Sequence, residues 1–433
     1  MTRAAANGHS RVTSSGTDSG RDLPVLPDVG LIALVPDAWD ATWQSRHYVL
    51  TRLARYFHVV WCNPTAVNDR SDDQYAAARG DRAAGGEVPA SFTVHNPPSW
   101  ASAFRFQRPA AFAGLVIQQR YRGARRHLAI RGCDRVLLSL WRPYFARALD
   151  AIPHHVSCYH IDDEYTFSDI EQATDEREAS LIRRVDQVFV SSRGLLDKKG
   201  HLNPSTLFVP NGVDYAAYVA SSPEPADLQP IPHPRLGYVG LIKRQLDLEL
   251  LYALARRHPT WSFVLVGPQK HREHIGASIE KLMQLPNVHF LGEKPVGELP
   301  AYTQHIDVCL LCYKVDDYTK FIYPLKLNES LASGRPCVGS PIRTLQEFSS
   351  VLDLARTEDE WSEAIATALT PSRRSEACSA ARREVARRHD WDLLVHQIAT
   401  ALCDKLGPSY RQRLQQSMPE SRVLASGSPR ERR

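Results

Sequence analysis

The chain has 433 residues, 43% hydrophobic and 23% charged, with a formal net charge of +5. This is the composition of an ordinary globular protein; it excludes collagen-like, coiled-coil and wholly disordered chains, and at roughly 150 residues per domain it fits two or three domains. No apolar run approaches the roughly 18 residues of a membrane-spanning helix, and the mild positive charge does not call for nucleic acid.

Residues 1–24 are polar, rich in Ser, Thr, Gly and Arg, without the apolar core of a signal peptide, and read as a disordered leader. Beyond them, short apolar runs alternate with helix-like runs. Strands are expected at 30–36 (GLIALVP), 58–64, 92–97, 135–141 (RVLLSLW), 155–161, 187–192 and 206–210, with helices such as 44–56 and 175–185 between them. Apolar strands alternating with helices predict a parallel sheet covered on both faces. The polar, Gly-containing stretch 66–90 reads as a loop or insertion. The proline-dense segment 221–234 reads as a stiff connector between a first domain at 25–220 and a second at 235–390. In the second half strands are expected at 235–240, 262–267, 288–292, 308–314 and 335–340. Helices fall at 247–258, 273–285, 296–305, 324–333 and 357–369. A terminal helical region over 391–416 is expected to pack back on the first domain, before a disordered tail at 417–433. The eight cysteines are scattered through apolar segments, which suits reduced core thiols in a cytoplasmic protein. Cys309 and Cys312, three apart on an expected strand, point to opposite faces and do not make a pair.

Two doubly wound α/β halves predict a cleft between them, with chemistry in the loops that leave the carboxyl ends of the strands. The most informative stretch is YPLKLNESLASGRPCVGSP at 323–341. Pro324 suits the first position of a helix and Gly334 its stop. Such a helix end is an anion site. Lys326 and Glu329, three apart, share a face; that spacing fits a diphosphate on Lys326 and a ribose diol on Glu329, and equally a plain surface ion pair.

This stretch resembles the donor-site motif of glycosyltransferase family 4 (group 1) and its polysaccharide-biosynthesis relatives. Further similarities follow in order: PNGVD at 210–214, RLGYVGLIKRQ at 235–245, the strand ending at Gly267, NVHFLGE at 287–293, and His389-Asp390-Trp391. The resemblance covers about 207–406 and implies the GT-B fold, two Rossmann-like domains facing across a cleft, with a UDP- or GDP-linked sugar as donor and no cofactor or metal. It implies a nucleotide-sugar site of Gly240, Lys243, Arg244, Gly292, Lys294, Tyr323, Lys326 and Glu329. Glu329 matches the second Glu of the family's E-x7-E motif. The first falls on Phe321, which leaves the sugar and the stereochemistry open.

In the first half, Trp39, Arg46 and His47 follow the opening strand and are candidate acceptor contacts, or else the start of a helix. Asp162 and Asp163, in the acidic run 160–165, are candidate catalytic bases; adjacent acids raise at least one pKa. The alternatives are a helix N-terminus enriched in acids or a metal site like that of the other glycosyltransferase fold. The stretch 99–131 mixes Trp100, Phe104, Phe106 and Phe112 with arginines that include Arg120, Arg122, Arg125 and Arg126. It suits either the anionic inner face of a cell membrane or an amphipathic helix with a solvated basic face. The resulting expectation is a retaining, metal-independent transferase acting on a polysaccharide or lipid-linked acceptor in cell-surface glycan synthesis. A nucleotide-sugar 2-epimerase and an inactive glycan- or partner-binding scaffold are the alternatives.

Overall fold

A computed structural model describes residues 23–64, 88–97, 110–167, 175–270 and 272–417. The leader through residue 22, most of the 66–90 loop, the aromatic–arginine stretch 98–109 and the tail from 418 lie outside the described residues.

The first sheet holds β1 (Val29–Leu34), β2 (His58–Cys62), β3 (Phe92–His95), β4 (Arg135–Leu140), β5 (Val156–Ile161), β6 (Gln187–Val190) and β7 (Thr206–Phe208), in the order β3-β2-β1-β4-β5-β6-β7. Every pairing is parallel. Strands β1, β2 and β5 are buried at every residue, which is why they read as largely apolar runs. The second sheet holds β8 (Arg235–Val239), β9 (Ser262–Val266), β10 (Val288–Gly292), β11 (Val308–Leu311), β12 (Cys337–Gly339) and β13 (Asp353–Leu354), in the order β10-β9-β8-β11-β12-β13. The strand order reverses between β1 and β4 in one sheet and between β8 and β11 in the other, and a doubly wound sheet opens its ligand crevice at that point.

Segment 221–234 is not a free connector. Leu228 and Ile231 are buried in the core of the second domain, together with Val213 and Tyr218. Arg235 pairs with Glu224 and donates from Nε to the Ile231 carbonyl at 2.7 Å. The chain from Val213 through this segment already packs on the second core. Helix Trp391–Leu406 lies in the first domain's core, with Trp391, Leu394, Ile398 and Leu402 buried there. The Trp391 ring stacks on Tyr48 at 5.5 Å, and Asp392 pairs with Arg52 and Arg55. Gly407 and Pro408 break this helix from a second one, Pro408–Gln416. All eight cysteines are free thiols, and Cys309 is registered against Cys337 on the next strand.

Helix Ala110–Ile130 buries Ile117, Arg120, Tyr121, Ala124 and Leu128, a stripe at helical spacing. Arg122, Arg125 and Arg126 are exposed. Arg120 is not part of that basic face: it is 3% exposed and donates to the Asn63 carbonyl. Among the described residues, no helix is long and apolar enough to cross a membrane.

Candidate active site

A cleft of about 220 Å³ opens where the carboxyl ends of both sheets meet. The first domain contributes residues 41–46 after β1, Arg142 after β4, and Asp162 and Asp163 after β5. The second contributes Gly240 and Lys243 after β8, Gly267 after β9, Lys294 after β10, and the start of helix Leu325–Ser333.

The cationic end is built around two glycines. Gly240 has φ +146°, and a Cβ there would stand 1.7 Å from Lys326 Cε. Gly267, with φ +138°, brings its Cα against the Gly240 carbonyl, 2.1 Å from where a Cβ would lie. Neither position tolerates a side chain, so the β8 and β9 loops close tightly beneath the lysine. Lys326 Nζ lies 5.8 Å from the Tyr238 ring centroid. Among the described residues no carboxylate is within ion-pair distance of Lys326 or Lys243. Burial lowers the pKa of the Lys326 ammonium; Glu329 opposes the shift and Lys243 adds to it. Burial raises the Glu329 carboxyl, against Lys326 and a hydrogen bond from Tyr218. Two desolvated ammonium groups at an uncapped helix N-terminus are an arrangement that a diphosphate would complete. Tyr323 also faces the cleft; its carbonyl accepts from Asn211 at 2.6 Å and its hydroxyl from Asn328 at 3.1 Å.

Three expected donor-site residues are placed otherwise. Arg244 and Gly292 do not line the cleft; Gly292 sits at a break in the β9–β10 register with φ +71°, its carbonyl accepting from Gly267 at 2.7 Å. Lys294 reaches the cleft wall, but its ammonium is 2.6 Å from Asp227 and 5.4 Å from the Tyr302 ring. That pairing raises its pKa and leaves it holding the domain's edge.

The two candidate bases differ. Asp162 is held by two arginines, Arg46 at 2.9 Å and Arg142 at 2.8 Å, and accepts from Tyr165 at 2.6 Å. Burial pushes its carboxyl up, but Arg142, Arg46 and the Tyr165 hydroxyl outweigh burial and hold it below the ordinary carboxylate range. Arg46 also pairs with Asp37, and burial, with Arg142 nearby, brings it down to about 10. Both partners stay charged at neutral pH, so Asp162 and Arg46 form an ionic frame in the cleft wall, and the depressed carboxyl of Asp162 is the weaker base of the two aspartates. Asp163 has no such clamp. It accepts from the Glu164 N–H at 2.8 Å and from the Tyr318 hydroxyl of the second domain at 2.8 Å. Burial raises its carboxyl; Lys243 opposes this and Asp162 reinforces it.

Trp39 and His47 are not cleft residues. His47 is fully buried, its ring 4.6 Å from Trp61, 5.3 Å from Trp43 and 5.5 Å from Trp39. Its Nδ1 accepts from the Gln44 N–H at 3.1 Å, which starts the helix, and burial followed by Arg46 lowers its pKa to about 3. Trp39 packs on Phe92 at 4.7 Å. The cleft is lined by Trp43 instead, together with Arg142, Tyr318 and Asn211. Arg142 and Asn211 follow expected strands at their carboxyl ends, a signal that could have selected them; nothing local marks Tyr318.

Phe321, which stands where the resemblance puts an acid, is 8% exposed and belongs to the core of the first domain. It reaches there from the second domain because helix Arg193–Lys199 carries Gly194, where a Cβ would lie 2.5 Å from the Lys320 carbonyl and 3.2 Å from the Phe321 ring. The Ser192 hydroxyl donates to the Phe321 carbonyl at 2.6 Å, and Lys198 lies 5.2 Å from the ring centroid. The ring is an anchor between domains. Phe321→Ala should therefore lower the free energy of unfolding by about 3–5 kcal/mol, read by urea denaturation; an unchanged midpoint would show that the ring anchors nothing.

Residues 233–370 match the family model described as "Glycosyl transferases group 1". A curated relative, the "Putative teichuronic acid biosynthesis glycosyltransferase TuaH" of Bacillus subtilis (strain 168), is 32% identical over 232 residues, which are 51% of this chain and 57% of the relative. The chain thus matches little more than half the length of that relative. Among solved structures, Anabaena Alr3699/HepE in complex with UDP and glucose superposes with TM-score 0.61 at 13% identity, covering 87% of this chain and 99% of that one. A trehalose-6-phosphate structure from E. coli bound with UDP-2-fluoro glucose gives TM-score 0.60 at 13% identity, covering 86% and 98%. The likeness establishes the fold: two Rossmann-like domains facing across a cleft, the GT-B architecture. The second domain resembles group 1 glycosyltransferases in sequence.

Proposed function

We propose that the protein is a glycosyltransferase that moves a hexosyl unit from a nucleotide diphosphate sugar to a polysaccharide or lipid-linked acceptor in cell-surface glycan synthesis. The observation that carries this reading is the pair of desolvated lysines at the switch point of the second sheet, Lys326 in the first turn of helix Leu325–Ser333 and Lys243 after β8, neither with a carboxylate in ion-pair distance among the described residues. Diphosphate charge builds up on the leaving group as the glycosidic bond breaks. Fixed cations in a dehydrated cleft stabilise it most at that moment. Glu329, one turn along the same face, is positioned for a ribose diol. The glucose- and UDP-bearing structural neighbours favour UDP over GDP as the nucleotide.

Asp163 is the group in place to take the acceptor hydroxyl's proton as that oxygen bonds to the anomeric carbon. Its neighbour Lys243 is also the neighbour of Lys326, so this base stands on the leaving-group side. Attack from that side retains the anomeric configuration. The two lysines supply the charge that a metal would otherwise supply, which is the basis for a metal-independent reaction. The scaffold reading draws on Phe321, whose ring fills an inter-domain core instead of offering an acid.

Incubation of UDP- and GDP-hexoses with and without acceptor glycan tests the proposal. Acceptor-dependent release of the nucleoside diphosphate supports transfer, and NMR of the product reports its anomeric configuration. Conversion of the donor sugar without acceptor would indicate an epimerase, and binding without turnover a scaffold.

For localisation we infer a cytoplasmic protein that meets an anionic membrane through the exposed arginines of helix Ala110–Ile130. Replacing Arg122, Arg125 and Arg126 together with Gln should reduce sedimentation with phosphatidylglycerol vesicles at low salt, where attraction is least screened, while nucleotide binding persists. Failure of the wild-type protein to sediment would refute the membrane contact.

A further inference from the structure

A second pocket, of about 410 Å³, lies in the second domain away from the cleft. The cleft uses the carboxyl ends of the strands; this pocket uses the amino ends, where His305 precedes β11 and Arg335 precedes β12. Three arginines converge on it, Arg335, Arg374 and Arg383, with the hydroxyl-bearing Ser221, Ser222 and Ser379 around them.

The positive charge there is only partly answered by protein. Arg374 donates to Asp307 at 2.7 Å, but Asp307 also accepts from His233 at 2.5 Å and from the Arg235 N–H at 2.8 Å, so its single negative charge is shared among three donors. Arg383 reaches Glu376 only at 3.4 Å, and that carboxylate is 83% exposed. Arg383 has a structural task as well. It packs on Gly334, where a Cβ would lie 2.9 Å from its Nε, and donates to the Ser333 carbonyl at 3.4 Å. Arg382 donates to the Gly334 carbonyl at 3.2 Å. These contacts cover the carbonyls at the helix C-terminus, whose partial negative charge would otherwise repel an anion. The Arg335 guanidinium has no hydrogen-bond partner among the described residues. Burial lowers its pKa; Cys309 and Asp307 oppose the shift, and the crowding of Arg374 and Arg383 adds to it.

We propose that this pocket is a binding site for a phosphate group, separate from the cleft. A phosphate dianion would take the unanswered charge of Arg335 and Arg383 and give its oxygens to guanidinium N–H groups and serine hydroxyls, the pairing at which arginine is most effective. The site does not depend on glycosyl transfer, since it shares none of Lys243, Lys326 and Asp163.

Isothermal titration with inorganic phosphate, at ionic strength held constant with chloride, tests the assignment. Lys326→Ala, which disables the cleft's cation, should leave the pocket's Kd within about twofold of wild type. Arg335→Gln should weaken it tenfold or more. Ser379→Glu, which sets a carboxylate in the pocket without removing a guanidinium, should do the same and decides the matter should Arg335→Gln fail to fold. A hexose phosphate that binds more tightly than inorganic phosphate, with the same sensitivity to Ser379→Glu, assigns a phosphorylated sugar as the ligand; equal affinity assigns the free anion. Phosphate binding that survives Ser379→Glu unchanged, or that vanishes with Lys326→Ala alone, overturns the proposal.

Discussion

Asp162→Asn should destabilise the fold by about 3–5 kcal/mol at neutral pH, the usual result of removing one member of a buried ion pair. The change leaves Arg46, 4% exposed, with Asp37 as its remaining ion-pair partner among the described residues, and takes from Arg142 the carboxylate it meets at 2.8 Å. Asp163→Asn, one residue along, should hold or raise stability at neutral pH, since it removes a carboxylate that burial disfavours, and lower turnover by roughly a hundredfold or more, the range of a lost general base. The pH dependence of the two acids should be opposite. The folded pKa of Asp162 is depressed, so its stabilisation is complete above the ordinary carboxylate range and disappears as pH falls through the lowered value. The folded pKa of Asp163 is raised, so the native state loses stability as pH rises from the unfolded carboxyl's range to that raised value. Urea midpoints measured from pH 3 to pH 8 on both variants read these slopes. Equal losses of stability in the two variants would refute the division into a structural and a catalytic acid.

Lys326→Ala should weaken binding of a nucleoside diphosphate by roughly 10- to 150-fold, which corresponds to about 1.5–3 kcal/mol for a hydrogen bond to a charged group. The melting temperature should hold or rise, because the ammonium is desolvated without a carboxylate in ion-pair distance and its removal relieves a cost in the empty protein. Gly240→Ala should produce a similar loss of affinity from the opposite direction. Its Cβ would displace Lys326 Cε, and the positive φ adds strain to any L side chain. Titration calorimetry with UDP, beside thermal melts, measures both. Unchanged UDP affinity in both variants would move the donor site away from this lysine.

The strands were legible locally. A strand buried on both faces is mostly apolar, so β1, β2, β4, β5, β8 and β9 stood out as runs within one or two residues of their observed bounds. Strand β13, of two residues and half-buried, carries no such signal. Lys326 and Glu329 were equally accessible, because their relation depends only on the pitch of one helix. The first-domain residues were only partly so. Position after β1 put Trp39, Arg46 and His47 on the cleft rim; Arg46 lines it, but Trp39 and His47 do not, because a loop's direction is set by what it packs on. Here four aromatic rings, those of Trp39, Trp43, Trp61 and Phe92, draw His47 and Trp39 inward and leave Trp43 at the cleft.

The sequence by itself thus determined two parallel α/β domains with their ligand crevice at the strand ends, and a lysine and a glutamate on one face of helix Leu325–Ser333. Periodicity and helix geometry are local, and a single chain carries them. Tertiary structure alone decided which of two adjacent aspartates is free. Asp162 is clamped by Arg46, 116 residues away, and Asp163 meets Tyr318, 155 residues away across the cleft. It also decided that Phe321 is an anchor, since its neighbours Gly194 and Ser192 come from the other domain. Charge partners and packing partners so distant in sequence leave no periodicity to read. Their effect on pKa and burial exists only once the two sheets face each other.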